Sequence, residues 1–590
     1  MEEFSFSYSK PLRDELFSGI EDISGLGIYE QQSFSPIYMR FFVLNDTNWN
    51  ATAFDQSSQI SSIVSIKDRH RVMGNVRDAN DKLVPRDIFL KYSPLIDPIK
   101  YMTDKYGCGD DETKRNALLG LPGLPGAHKT GSDIANDTNN IPYVDAFFSY
   151  LTSKMLHHHN FIHALDFYGA WLGKQRGFHI DIIDDMDTLE ESEFFVRNIG
   201  KLFSMDARVH DGIIQHSRAN RRKIDLTEST AIPPGVLTLS DIGDIDEIST
   251  ITGDCDVPAS TDVLPDLEMI HSMEVNGDED SGSTDCSSRS SHTASDCSEE
   301  SERGDGDDSE VTDSEDDEDS AAMVALHDFP VQVSCLEKCA STLDALVAGT
   351  HLSDEDSQYE EKSDDELMPL TENEWSSMVM QVLMTLICYQ KAFGFTHNDL
   401  HSNNIMYVRT QKANLYYRIN GKHYKVPTYG RVFKIIDFGR SVYRFRGSVI
   451  CSNAFAKGGE AAGQYNCEPF FDDTKPRLEP NYSFDLCRLA TSLYDLIGPE
   501  TEDEQFNLPI IKIILGWCND DKGRNVLYKS DGSERYPDFK LYKMIVRTVH
   551  DHVPLKVLKN PYFDRYVVGR KTINKTQRIM NIDNMPIYTQ

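Results

Sequence analysis

The sequence contains no run of about 20 apolar residues, the length a helix needs to cross a bilayer. Its start, Met1-Glu2-Glu3-Phe4, has neither the basic nor the apolar segment of a secretory signal. Both absences point to a soluble, intracellular protein without a membrane span. Its 11 cysteines include no Cys-x-x-Cys pair, so the common zinc and dithiol motifs are excluded and reduced, inert thiols are the simplest account. Cys335 and Cys339 are spaced for metal only weakly. Basic residues are scarce, and a net charge of −36 argues against general nucleic-acid binding, leaving only local patches such as 218–223 for anion contact. The scarcity is greatest in 251–320, where 24 Asp and Glu face only Arg289 and Arg303 and no aromatic residue occurs. Such a stretch cannot bury enough apolar surface to offset its chain entropy, and it is expected to be disordered.

What is present is patterned for both sheet and helix. Strands are expected at 37–45, 60–67 and 87–91, the last starting just after Pro85, which is expected to break a strand, then a helix over 143–157 with apolar residues at Val144, Phe147, Phe148, Leu151, Met155 and Leu156. A strand over 160–171 follows, and from Lys174 the pattern turns acidic and irregular. Order returns at Phe329 with a strand to Glu337, and residues 341–344 read as the cap of a short helix. Thr371-Glu372-Asn373-Glu374 is a capping box opening a long helix to about Phe393. Four strand-like runs follow, at 404–409, 415–419, 422–426 and 432–437, with Asn420-Gly421 as a hairpin turn. Beyond Asn481 the helical period returns. The triplet His157-His158-His159 has no acid or cysteine spaced to complete a metal site and reads as polar company for a helix end.

Two motifs carry chemistry. His397-Asn398-Asp399-Leu400-His401-Ser402-Asn403-Asn404 places an amide five residues after a carboxylate, and Asp437-Phe438-Gly439 follows 38 positions after Asp399. A carboxylate to take a hydroxyl proton, an amide oxygen and a second carboxylate for magnesium are the parts that phosphoryl transfer from a nucleotide requires. In this order, each after an apolar element, the motifs resemble those of protein kinases over roughly 35–210 and 328–570. The large insertions and the sequence around Asp399 look like the divergent serine/threonine kinases of large cytoplasmic DNA viruses of the mimivirus kind, which would place the protein in the host cytoplasm or the virion.

The resemblance implies an α+β, bilobal protein-kinase-like fold with a small β-rich N-lobe, a larger helical C-lobe and a long disordered acidic insertion. An extension would span 1–34, the first part of the N-lobe 35–210, the insertion 211–327, the last N-lobe strand with the hinge and the start of the C-lobe 328–350, a short acidic insertion 351–368, the C-lobe 369–572 and a tail 573–590. It also implies ATP and Mg2+ as cofactors and a protein substrate. Asp399 would be the base, with Lys91 and His401 completing the catalytic set; Lys91 is preferred over Lys67, which runs into the charged string at 68–71. Asn404 and Asp437 would hold the metal. Leu336, Glu337 and Cys339 would form the adenine-reading hinge beside Lys91. His397, Gly439 and Asp485 would give structural support, Asp485 by accepting backbone hydrogen bonds beneath the catalytic loop.

Four departures from the family pattern stand out. Gly74 stands alone, so no Gly-x-Gly-x-x-Gly precedes Lys91. The helix from Tyr143 has no central glutamate to pair with the lysine, Asp145 near its start being the nearest acid. Asn398 replaces the arginine that couples the loop to a phosphorylated segment, which implies that this control is lost. His401 replaces a lysine, so charge there is expected to depend on pH. Two other readings remain open: a small-molecule phosphotransferase of the aminoglycoside or choline kinase type, and a pseudokinase scaffold. In the acidic segments Ser309, Ser314, Ser353 and Ser363 fit an acidophilic kinase, and the insertion as a whole fits a basic partner or a solvated spacer.

Overall fold

Seven strands build the main sheet. β1 (Ile28–Gln32), β2 (Gln59–Ile66), β3 (Arg71–Arg77), β4 (Leu83–Pro94), β5 (Phe167–Asp181) and β7 (Met323–Glu337) run in the order β1-β5-β7-β4-β3-β2, and β6 (Phe203–Met205) pairs with β7. The computed structural model describes residues 2–10, 26–126, 128–205, 322–349, 370–494, 496–497 and 507–590. All belong to one of the two compact units of the chain; the other, 220–284, lies outside the described residues. So do the patch at 218–223 and Ser309, Ser314, Ser353 and Ser363.

Alternation along the strands buries one face of this sheet. Val72, Ile88, Leu90, Tyr92 and Val333 enter one apolar cluster, which turns the intervening residues of β4, Phe89 and Lys91, to the opposite side. That side is covered by helix α1 (Ile141–His159), whose start is held by Asn140 Nδ2 donating to Leu95 O at 2.9 Å, just beyond the end of β4. Helix α2 (Leu343–Ala348) starts from Thr342, whose hydroxyl accepts from Ala345 N–H. Helix α3 (Glu372–Phe393) opens with the Thr371–Glu374 capping box and ends at Gly394 in the left-handed region, φ 59°. Nearly every residue of α3 from Trp375 onward is buried, as befits the central helix of a large core. Beside it lie β8 (Ile405–Arg409), β9 (Asn414–Ile419), β10 (Lys422–Pro427) and β11 (Arg431–Ile435), where β8 pairs with β11 and β9 with β10 around Asn420-Gly421, both at positive φ. Helix α4 (Phe484–Tyr494) follows, and the ends of the chain pack together, Phe4 stacking on Tyr588 at 4.3 Å.

Three expectations fail for local or tertiary reasons. Residues 37–45 are not a strand: Pro36 opens a 3-10 turn, Pro36–Arg40, and Asn45 and Asn48 side chains then accept the N–H groups of Thr47 and Asn45. Asn160, at φ 56°, ends α1, so the expected strand at 160–171 starts only at Phe167. It then runs through the polar stretch past Lys174 because β7 pairs with it from Leu336 to Met323. Nor does Pro85 interrupt β4: at that position only β3 is paired, since β7 joins from Ile88 onward, and the missing N–H faces no partner. Chain leaving Met205 and returning at Met323 starts and ends on neighbouring strands, Met205 opposite Val324. Ends held that close make a long excursion inexpensive in closure entropy.

Fully buried His163 links the start of β5 to β11. Its Nδ1–H donates to Phe433 O at 2.8 Å and its Nε2 lies 2.7 Å from Tyr417 OH, and burial pushes its pKa down to about 4. A folded value below the unfolded one gives stability that is complete above pH about 6.5 and is lost as pH falls toward 4. The melting temperature of wild type should therefore fall from pH 7 to 4.5 more steeply than that of His163→Gln; parallel curves would count against this linkage.

Candidate functional site

Lys91 is 7% exposed, and its ammonium lies 2.9 Å from Asp145 Oδ2 and 3.1 Å from Asp437 Oδ1. Burial by itself would lower its pKa; the two carboxylates more than offset this and hold it above the ordinary lysine value. Lys67 lies on the surface and pairs with Asp87 at 3.3 Å. The acid that the sequence left uncertain is thus in place: Asp145 stands in the first turns of α1, and its other oxygen accepts Phe438 N–H at 2.7 Å.

The segment before Lys91 has no glycine loop. The turn at 67–70 between β2 and β3 lies against β4, with Leu90 N–H donating to His70 O at 2.7 Å and Tyr92 OH to Arg69 O at 3.1 Å. Asp68 Oδ1 accepts from His70 N–H at 2.8 Å and Arg71 N–H at 2.7 Å, so these amides are already used within the turn. Gly74 has a packing role, since a Cβ there would come within 2.6 Å of Ile88 Cδ1.

Residues 397–404 form a loop held from below. Asp485, fully buried on α4, accepts His397 N–H at 3.0 Å and Asn398 N–H at 2.9 Å. His397 Nε2 donates to Ile436 O at 2.9 Å, and Asn404 Nδ2 donates to Asp399 O at 2.9 Å. Asn404 and Asp437 converge because they extend the same end of the β8–β11 ladder, where Ile405 faces Ile435 and Ile436 N–H donates to Asn404 O at 3.0 Å. Asp437 has φ 60°, and Gly439 is required beside it: a Cβ would lie 2.8 Å from Ile141 Cγ2. Phe438 packs on Phe148 of α1 at 4.8 Å and on His397 at 5.8 Å.

Asn398, at φ 67°, takes Tyr465 OH on its Oδ1 at 2.5 Å and donates to Arg440 O at 2.9 Å. Asp399 is 4% exposed, with Arg440 Nη1 3.5 Å from Oδ2, Arg488 Nε 3.9 Å from Oδ1 and Tyr542 OH donating to Oδ1 at 2.8 Å. Burial alone would raise its pKa, but the two guanidiniums outweigh it and hold the carboxyl below the usual range. Burial pushes His401 down to about 4, and its Nε2 accepts from Asn404 Nδ2 at 3.1 Å, the role of a neutral ring. Sequence reasoning missed Arg440, Arg488 and Tyr542. Arg440 directly follows the Asp-Phe-Gly motif and Arg488 lies one helical turn after Asp485, which are legible signals; Tyr542 has none.

Leu336 and Glu337 end β7, the strand next to Lys91, which faces Ser334, and Cys339 lies two residues beyond it. Glu337 N–H donates to Asp166 O at 2.9 Å and its carboxylate pairs with Lys434 at 2.5 Å. Of the three histidines ending α1, His157 pairs with Asp166 at 2.7 Å and His159 with Tyr588 OH at 2.7 Å. Among the described residues no group of three or more His, Cys, Asp or Glu could hold a metal, and none of the described helices is long and apolar enough to cross a membrane.

No protein-family model matches the chain. A stretch of 74 residues is 32% identical to Serine/threonine-protein kinase haspin of Bos taurus, and a match of the same length and identity is found with that of Mus musculus. Each covers 12% of this chain and 10% of the relative, so the chain spans about a tenth of the length of these curated relatives. The chain therefore carries a partial similarity to a serine/threonine protein kinase.

Proposed function

We propose that the chain is an ATP- and magnesium-dependent serine/threonine protein kinase of bilobal build, moving the γ-phosphoryl group to a protein hydroxyl. The observation that carries this reading is the buried contact of Lys91 with Asp145 and Asp437, next to a loop that brings Asp399 and Asn404 to the same end of the β8–β11 ladder. Asp399 accepts the proton of the attacking hydroxyl, neutral His401 hydrogen-bonds beside it, and Lys91 holds a nucleotide phosphate. One carboxylate and one amide oxygen, with phosphate and water for the rest, is a donor set that magnesium takes, and Asp437 and Asn404 would provide it. Bound there, the ion would neutralise charge on the transferred oxygens. The backbone at Leu336, Glu337 and Cys339 reads adenine. The basic turn at 67–70 covers the phosphates with side chains in place of glycine amides. Asp485, His397 and Gly439 keep these groups in position before substrate arrives, and such positioning supplies most of the rate.

Radiolabelled ATP offered together with a mixed set of protein substrates and small hydroxyl compounds tests this. Label should enter protein and vanish in Asp437→Ala. Label only on aminoglycosides or choline would replace this reading with a small-molecule phosphotransferase, and nucleotide binding without transfer would make the chain a pseudokinase.

A further inference from the structure

Tyr542 lies on α5 (Lys540–Thr548), far along the chain from the catalytic loop, yet its hydroxyl donates to Asp399 Oδ1 at 2.8 Å. This is the contact that an acceptor hydroxyl has to make with a general base. The Asp399 side chain is 6% exposed, with Arg440 and Arg488 filling its remaining surroundings. Both guanidiniums lie over the Tyr542 ring, 5.9 and 5.3 Å from its centre, and Arg488 Nε donates to the phenol oxygen at 2.8 Å. The geometry points to Tyr542 as a substrate mimic: its hydroxyl holds the acceptor's place at Asp399, and a protein substrate enters only when α5 draws the phenol away. This inference rests on the kinase reading of Asp399.

The helix that carries the phenol packs one face into the fold. Tyr542, Ile545 and Val546 of α5 enter an apolar cluster with Val442, Phe455 and Phe484, and the chain before it includes Gly532 at φ 82° and Asp538 at φ 53°. Its other described ties include Arg547 Nη2 donating to Gly463 O at 3.0 Å. Withdrawing α5 uncovers this apolar face, which makes the open form the minor one. A site open for only a fraction of the time binds its ligand more weakly by that fraction.

Tyr542→Phe keeps the ring under the guanidiniums and removes the hydroxyl. One hydrogen bond to a charged group corresponds to an equilibrium factor of about 10–100, so KM for a protein substrate should fall by about tenfold or more, while kcat and KM for ATP stay unchanged. A fall in kcat at constant KM would overturn the inference, making Tyr542 a positioning residue for Asp399. Phosphate found on Tyr542 itself would also overturn it. A second measurement is independent of turnover: carbodiimide coupling of a glycine ester to carboxylates, read by mass spectrometry. Asp399 should be protected in wild type relative to exposed Asp531 and labelled several-fold faster in Tyr542→Phe. Equal labelling of Asp399 and Asp531 in wild type would end the inference even if no phosphoryl transfer were found, whereas absent transfer with Asp399 protected would remove the kinase reading and leave the shielding intact.

Discussion

Replacing Asp399 by Asn is expected to lower kcat for protein phosphorylation by about 10²–10⁴-fold, the range that loss of a positioned general base costs. Asparagine keeps the shape and still accepts Tyr542 OH on its amide oxygen, the bond seen at 2.8 Å, so the loop should keep its place on Asp485. What disappears is the proton acceptor and the negative charge between Arg440 and Arg488, at 3.5 and 3.9 Å. The chemical step should therefore suffer while KM for ATP stays near wild type. A rate within threefold of wild type, measured with saturating ATP on protein of unchanged melting temperature, would exclude Asp399 as the base.

Lys91→Met should show the largest loss of stability, together with loss of transfer. It leaves Asp145, 3% exposed, and Asp437 facing one another without their shared cation. Removing one partner of a buried ion pair costs about 3–5 kcal/mol, because the remaining charge stays in a poor solvent. The deficit should shrink with acid: without the lysine, the folded-state pKa values of the facing carboxylates rise above their unfolded values, so lowering pH from 8 to 5 favours the folded form. Adding Asp145→Asn should restore part of the lost stability without restoring activity, since the two changes act on one network. Thermal melts of the single and double variants at both pH values read this directly, and a deficit that grows on acidification would contradict it.

Elements whose signals are local were legible. The Thr371–Glu374 capping box and the Asn420-Gly421 hairpin appear in the structure as the residues led one to expect, because caps and turns act over a few residues. Asp145 was visible as the nearest acid, yet its worth was not. A carboxylate shorter than glutamate reaches Lys91 because Asn140 ties the start of α1 to the chain just beyond β4, and that proximity is tertiary. The strand expected at 37–45 was lost to asparagine side chains that bond their own backbone. β5 was extended beyond its local pattern by a partner strand more than a hundred residues away in sequence.

By itself the sequence singled out the groups on which the proposal of phosphoryl transfer rests, Asp399, Asn404, Asp437, Lys91 and Asp485, since each sits in a short pattern whose chemistry is readable residue by residue. Only the tertiary structure decided that Asp145 faces Lys91, that the turn at 67–70 folds against β4, and that Tyr542, Arg440 and Arg488 enclose Asp399. Contacts between residues distant in the chain depend on how separately formed helices and strands pack, and no local pattern records that packing.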